Sequence, residues 1–129
     1  MKTGLLHINN EVYETLLALS EEEQQRGLMF QPSPTPVMTF VYTYPRVNKF
    51  WMRNTPAPLD ILFCVNNKIS QICYGEPFSE KAIGDNTFSD IIIELPYGTV
   101  NSSNIIVGSS VELFKPSKLD LTKLGYLQT

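Results

Sequence analysis

A chain of 129 residues can bury about two-thirds of the surface its unfolded form exposes, and 43% hydrophobic with 18% charged residues excludes wholesale disorder. A formal net charge of -3, with ten scattered basic residues, excludes a polyanionic duplex as the main partner, and no run of about 18 apolar residues offers a membrane-spanning helix. Two cysteines exclude a disulfide-stapled scaffold, and the absence of a signal-length apolar stretch before Asn9 and Asn10 reads as a soluble, cytoplasmic chain.

In chain order, LLHI at residues 5 to 8 and EVYETLLAL at 11 to 19 flank the pair Asn9 and Asn10. Asn tolerates positive φ better than other residues with a Cβ, so the pair predicts a hairpin. Ser20 followed three residues later by Glu23 fits a reciprocal capping box, which predicts a short helix from about Glu21 to Arg26 that Gly27 ends left-handed. QPSPTP at 31 to 36 is a connector, and MTFVYTY at 38 to 44 is a strand ended by Pro45, with a turn around Arg46 to Asn48.

The stretch FWMRNTPAPLDI, residues 50 to 61, holds the one tryptophan. On a strand, Phe50, Met52 and Asn54 face one way and Trp51, Arg53 and Thr55 the other, so apolar groups point to both sides. Pro56 and Pro58 forbid ladder donors, which predicts a corner before a strand over 59 to 65. Asp60 then accepts backbone N–H groups or pairs with Arg26 or Arg53. Asn66 and Asn67 join LDILFCV to KISQICYG as a second hairpin, in which Val65 opposes Lys68 and Cys64 opposes Ile69. Cys73 then lies about 13 Å further along the partner strand, too far from Cys64 for a disulfide. GEPFSEKAIGDNTFSD is a polar loop, DIIIEL a strand, and NIIVGSSVELF closes the set. Leucines at 119, 121, 124 and 127 in the tail suggest a short helix ending at Gly125.

About seven short strands with little helix predict a mainly β, β-dominated α+β fold, a compact barrel-like or sandwich single domain with one or two short helices. The domain spans 1–129, with a core over 3–114 and a C-terminal strap over 115–129.

Several chemistries are closed by residue inventory. One histidine, His7, stands far from any candidate nucleophile, and one histidine with two cysteines in no ligand spacing makes no zinc site. No glycine-rich phosphate loop is present, and GDNTFSD lacks the spacing and final Glu of a calcium loop. No cofactor is therefore expected. Carboxylates are the remaining acid and base inventory, and Asp60 with Glu94 is the pair to name, because each follows or interrupts an apolar run.

RGLMF at 26 to 30, FWMRNTPAPLDILF at 50 to 63, IIIELPYG at 91 to 98 and IIVGSSVELF at 105 to 114 together resemble the bacterial and archaeal family known as domain of unknown function 192. The resemblance implies a compact, β-rich single domain with no assigned activity. This chain reads PVMTF where the family has a Gly-Met-Leu-Phe turn, and Gly108-Ser109 where it often has Gly-Asp; many members also follow an export signal.

Three functional expectations follow. The first is a non-enzymatic domain that binds a small molecule or a protein on an aromatic and basic rim of Trp51, Arg53 and Asn54, supported by Arg26 and Asp60, with Arg46, Lys49, Tyr42, Tyr44 and Phe50 nearby. The second is a small hydrolase working through Asp60 and Glu94. The third is a structural accessory protein with an interface in place of a pocket.

Overall fold

The computed structural model describes residues 1–115. These form β1 (Lys2–Ile8), β2 (Glu11–Ala18), α1 (Glu21–Arg26), β3 (Val37–Val47), β4 (Leu59–Val65), β5 (Lys68–Gly75), β6 (Phe88–Pro96), α2 (Thr99–Ser102) and β7 (Val111–Phe114). The tail for which the leucine spacing suggests a helix lies outside the described residues.

Both Asn pairs turn hairpins. Ile8 faces Glu11 across the first, and Val65 faces Lys68 across the second. Asn9, Asn66 and Asn67 all take positive φ, the conformation that selects Asn over branched residues. Cys64 opposes Ile69 as expected, the ladder then shifts by one residue, and both thiols are free. Burial pushes the Cys64 thiol up to about 12, so it behaves as a small apolar group.

The strands form one sheet in the order β5-β4-β6-β3-β2-β1-β7, antiparallel throughout except for β2 and β3. That parallel pair needs a crossover, which α1 and the proline-rich connector supply. The sheet curls into a half-barrel whose two outer strands meet at one end. There Ile69 N–H donates to Ser109 O, Gly108 N–H to Ile69 O and Val111 N–H to Asn67 O, at 2.8–3.0 Å.

Curling divides the apolar residues into two cores, as period-2 alternation requires. Leu6, Ile8, Leu62, Ile69, Ile93, Leu95 and Val111 fill the concave side. Leu28, Met38, Phe40, Met52, Ile61, Phe63 and Ile92 form a second core on the other face. β4 is buried on both faces, so LDILFCV reads as a nearly unbroken apolar run.

Three expectations are corrected. β3 does not stop at Pro45 but runs to Val47, because the ladder with β6 breaks between Val41 and Arg46 and Pro45 sits in that irregularity, where no N–H is required. The turn assigned to Arg46 therefore begins only after Val47. NIIVGSSVELF is mostly turns, with only Val111–Phe114 as strand, and α2 precedes it.

Candidate functional site

The capping box at the start of α1 forms as the sequence predicts. Glu23 N–H donates to Ser20 Oγ, and Glu23 Oε1 accepts from Ser20 N–H, each at 3.1 Å. Such a cap is worth about 1 kcal/mol. Gln24 Nε2 then ties the helix to the sheet by donating to Val41 O at 2.9 Å and Ala18 O at 3.2 Å. The helix ends at Gly27 with φ 50 and ψ -131, a positive-φ conformation outside the left-handed helical region expected. A Cβ built there would make only ordinary contacts, 3.4 Å from Phe40 and 3.6 Å from Glu94 Oε1, so it is the positive φ that calls for glycine.

The segment after β3 is pinned from beneath. Asn48 is buried, donating through Nδ2 to Ser89 O and Ser89 Oγ at 2.9 Å and accepting from Arg46 Nε at 2.9 Å. Phe50 exchanges backbone hydrogen bonds with Ile83 and stacks edge-on against Phe40, with ring centroids 4.7 Å apart. Met52 is buried in the outer core. Alternation therefore turns Trp51 outward, where it is 44% exposed, with the Arg53 guanidinium 5.3 Å from its ring. The corner follows at once. Thr55 N–H donates to Met52 O, Asn54 takes φ 54, and Asn54 O accepts from Phe30 N–H at 2.7 Å.

Between α1, β3 and this segment lies a cleft of about 290 Å³. Arg26, Arg46, Lys49 and Trp51 stand on its walls with Tyr42 and Phe50, and Glu94 is part of its lining. A shallower trough, lined by Arg26, Trp51, Arg53 and Asn54, continues from its mouth. Trp51, Arg53, Asn54 and Arg26 thus share one face of the molecule.

Asp60 does not join them. In the β4–β6 ladder Asp60 faces Leu95 while Ile61 faces Glu94, and facing residues project to the same side, so Asp60 and Glu94 project from opposite faces. Asp60 Oδ2 accepts from Gly98 N–H at 3.1 Å and Val100 N–H at 2.9 Å, which caps α2. Of the roles open to it in the sequence, the structure selects backbone acceptor, and the two-carboxylate pair is not assembled.

Glu94 is 4% exposed, and its Oε1 meets no hydrogen-bond partner among the described residues. Burial pushes its carboxyl up to about 8, so at neutral pH it is a neutral acid able to donate as well as accept. Tyr42 is raised by burial too, against the opposing effect of Arg46, whose Cζ lies 4.1 Å above its ring. The sequence marks Glu94 only as an interruption of IIIEL; which face it takes depends on a register that no local signal encodes. Among the described residues no three His, Cys, Asp or Glu side chains gather where they could hold a metal ion. His7 stacks against Phe114, with centroids 4.9 Å apart, at the β1–β7 pair.

Among curated proteins, none matches the chain. Several solved structures are similar to it, two of them as follows. One is a protein of unknown function from Novosphingobium aromaticivorans DSM 12444, 27% identical, with a TM-score of 0.80 over 85% of this chain and 84% of that one. The other, from Sinorhizobium meliloti 1021 and described as a candidate transcription regulator, is 27% identical with a TM-score of 0.80 over 86% of this chain and 93% of that one. The profile of domain of unknown function 192, described as Uncharacterized ACR, matches residues 5–113. With that match covering most of its length, and the β-rich fold its motifs imply, the chain belongs to the family of domain of unknown function 192.

Proposed function

We propose that this protein is a small-molecule binding domain whose ligand enters the cleft between α1 and β3 and rests against Trp51. The observation that carries this reading is Glu94: a buried carboxyl oxygen without a partner among the described residues, in the lining of an open, aromatic-walled cleft. A buried polar atom left unpaired costs about 1–3 kcal/mol, and folds keep few of them. A ligand that pairs with it recovers that cost. The concave shape, the aromatic walls and the few convergent polar groups are the usual make-up of such sites.

Hydrolysis has less support. Its second carboxylate would be Asp60, which is committed to α2 on the opposite face.

The test is a metabolite screen by thermal shift, read in parallel through Trp51, whose position as the one indole makes intrinsic fluorescence a reporter of the cleft. A ligand at 100 times its Kd stabilises the fold by about 2.7 kcal/mol. Trp51→Ala and Glu94→Ala, each folded by circular dichroism, are expected to lose that shift. A library that moves neither signal, or a shift that survives in both variants, overturns the reading.

A further inference from the structure

Resting on that ligand-binding reading, we infer that the cleft selects a small organic acid: a carboxylate at one end met by the cations of the wall, a flat ring between the aromatic side chains, and a hydroxyl or carbonyl oxygen at the inner end that pairs with Glu94. Three observations converge on this class.

The first is charge. The lining holds Arg26, Arg46 and Lys49 against Glu21 and Glu94. Glu94 is neutral at pH 7, which leaves three positive charges and one negative, a local excess of two on a chain whose net charge is -3. A cationic ligand would meet repulsion on entry, and an anion attraction. The wall is also prepared for it. Arg46 is fixed through Nε on Asn48 Oδ1 and by its position over Tyr42, and Lys49 through Nζ on Gly84 O at 2.9 Å. A guanidinium held in this way offers its terminal nitrogens to a carboxylate in fork geometry with little further loss of freedom.

The second is the inner end. A protonated carboxyl donates one hydrogen bond and accepts another, which suits a hydroxyl or carbonyl oxygen. The titratable groups that line the cleft with Glu94 are Arg26 and Glu21 from α1, Tyr42 and Arg46 from β3, and Lys49 from the segment after β3; β4 opposes Glu94 with the apolar Ile61. An anionic group placed directly on Glu94 would be buried away from the exposed cations, so the charged end belongs at the mouth. The third is size and shape. About 290 Å³ between Phe40, Tyr42, Phe50 and Trp51 accommodates one or two rings.

The experiment titrates the full chain with matched sets that differ only in the head group: 4-hydroxybenzoate, 4-hydroxybenzamide and 4-hydroxybenzylamine, and the corresponding hydroxynaphthalene acid, amide and amine. Binding is read by Trp51 fluorescence and by amide shifts of residues 24–28 and 92–95. The acids are expected to bind at least tenfold more tightly than the amides, and the amines more weakly still. Arg46→Leu should bring the acid down to the affinity of the amide. Arg26→Gln, on the exposed end of α1, gives the same comparison should the first variant fail to fold. Glu94→Ala, which removes the inner partner, should weaken the acid and the amide alike, and an acid affinity unchanged in that variant overturns the inference. Amides that equal the acids, or amines that exceed them, overturn the inference while leaving a binding cleft in place. If no compound of any class moves the signals, the inference falls; the broader library screen separately decides whether the binding reading falls too.

Discussion

In the folded chain the carboxyl of Glu94 holds its proton to about pH 8, because burial penalises the charged form, whereas an unfolded glutamate releases it near 4.5. Between those values the folded state therefore binds one more proton than the unfolded state, and raising the pH favours unfolding. Stability should fall by up to about 1.4 kcal/mol per pH unit across this window and level off above it. Urea midpoints at pH 5, 6, 7 and 8 check the slope. Glu94→Gln is expected to flatten it and to exceed the wild type in stability at pH 8. The carboxyls of Glu23 and Asp85 do not obscure the result, since hydrogen bonds hold both below their ordinary values and their titration lies under the window. A wild-type profile that stays flat between pH 5 and 8 would mean that Glu94 is ionised in the fold.

At the scale of elements, α1 and α2 present opposite cases of what a sequence reveals. The start of α1 was legible because both halves of its cap, Ser20 and Glu23, lie three residues apart and state the helix locally. α2 has no side-chain cap of its own at Gly98 and takes its acceptor from Asp60, about forty positions earlier in the chain. No window of sequence around Thr99–Ser102 contains that information. Removing it should be felt there first. Asp60→Ala is expected to cost about 2 kcal/mol, with loss of exchange protection at the Val100 amide, while affinity in the cleft stays unchanged. Asp60→Asn, which keeps one acceptor oxygen, should cost less. A drop in ligand affinity in either folded variant would return Asp60 to the site. β3 shows the same contrast. Its apolar and aromatic start was readable from composition, but its passage through Pro45 was set by where β6 stops pairing. The cleft residues divide likewise: the outward turn of Trp51 follows from alternation along 50 to 53, which breaks at the corner where Asn54 is exposed and Thr55 buried, whereas Glu94 becomes part of the lining only through its register opposite Met38 and Ile61.

The whole molecule is organised around strands that are far apart in sequence. The Asn pairs and apolar runs are enough to anticipate a β-rich domain, barrel-like or sandwich, but not the single curled sheet or the order of its strands, because pairings such as β1 with β7 join segments far apart in the chain. The cleft is likewise a product of the whole, with walls from α1, β3 and the corner segment and a base from β6.

Because β1 takes β7 as one of its two neighbours, a chain emerging from the ribosome holds its first strand incompletely paired until Val111 through Phe114 have cleared the exit tunnel. The concave core thus cannot shut before β7 has emerged, and until then the nascent protein depends on whatever keeps an open sheet edge from finding another. A chain halted after Ser110 is expected to be digested rapidly by protease, and one extended through Lys115 to resist it. Equal resistance in the two would show that the last strand is dispensable for closure.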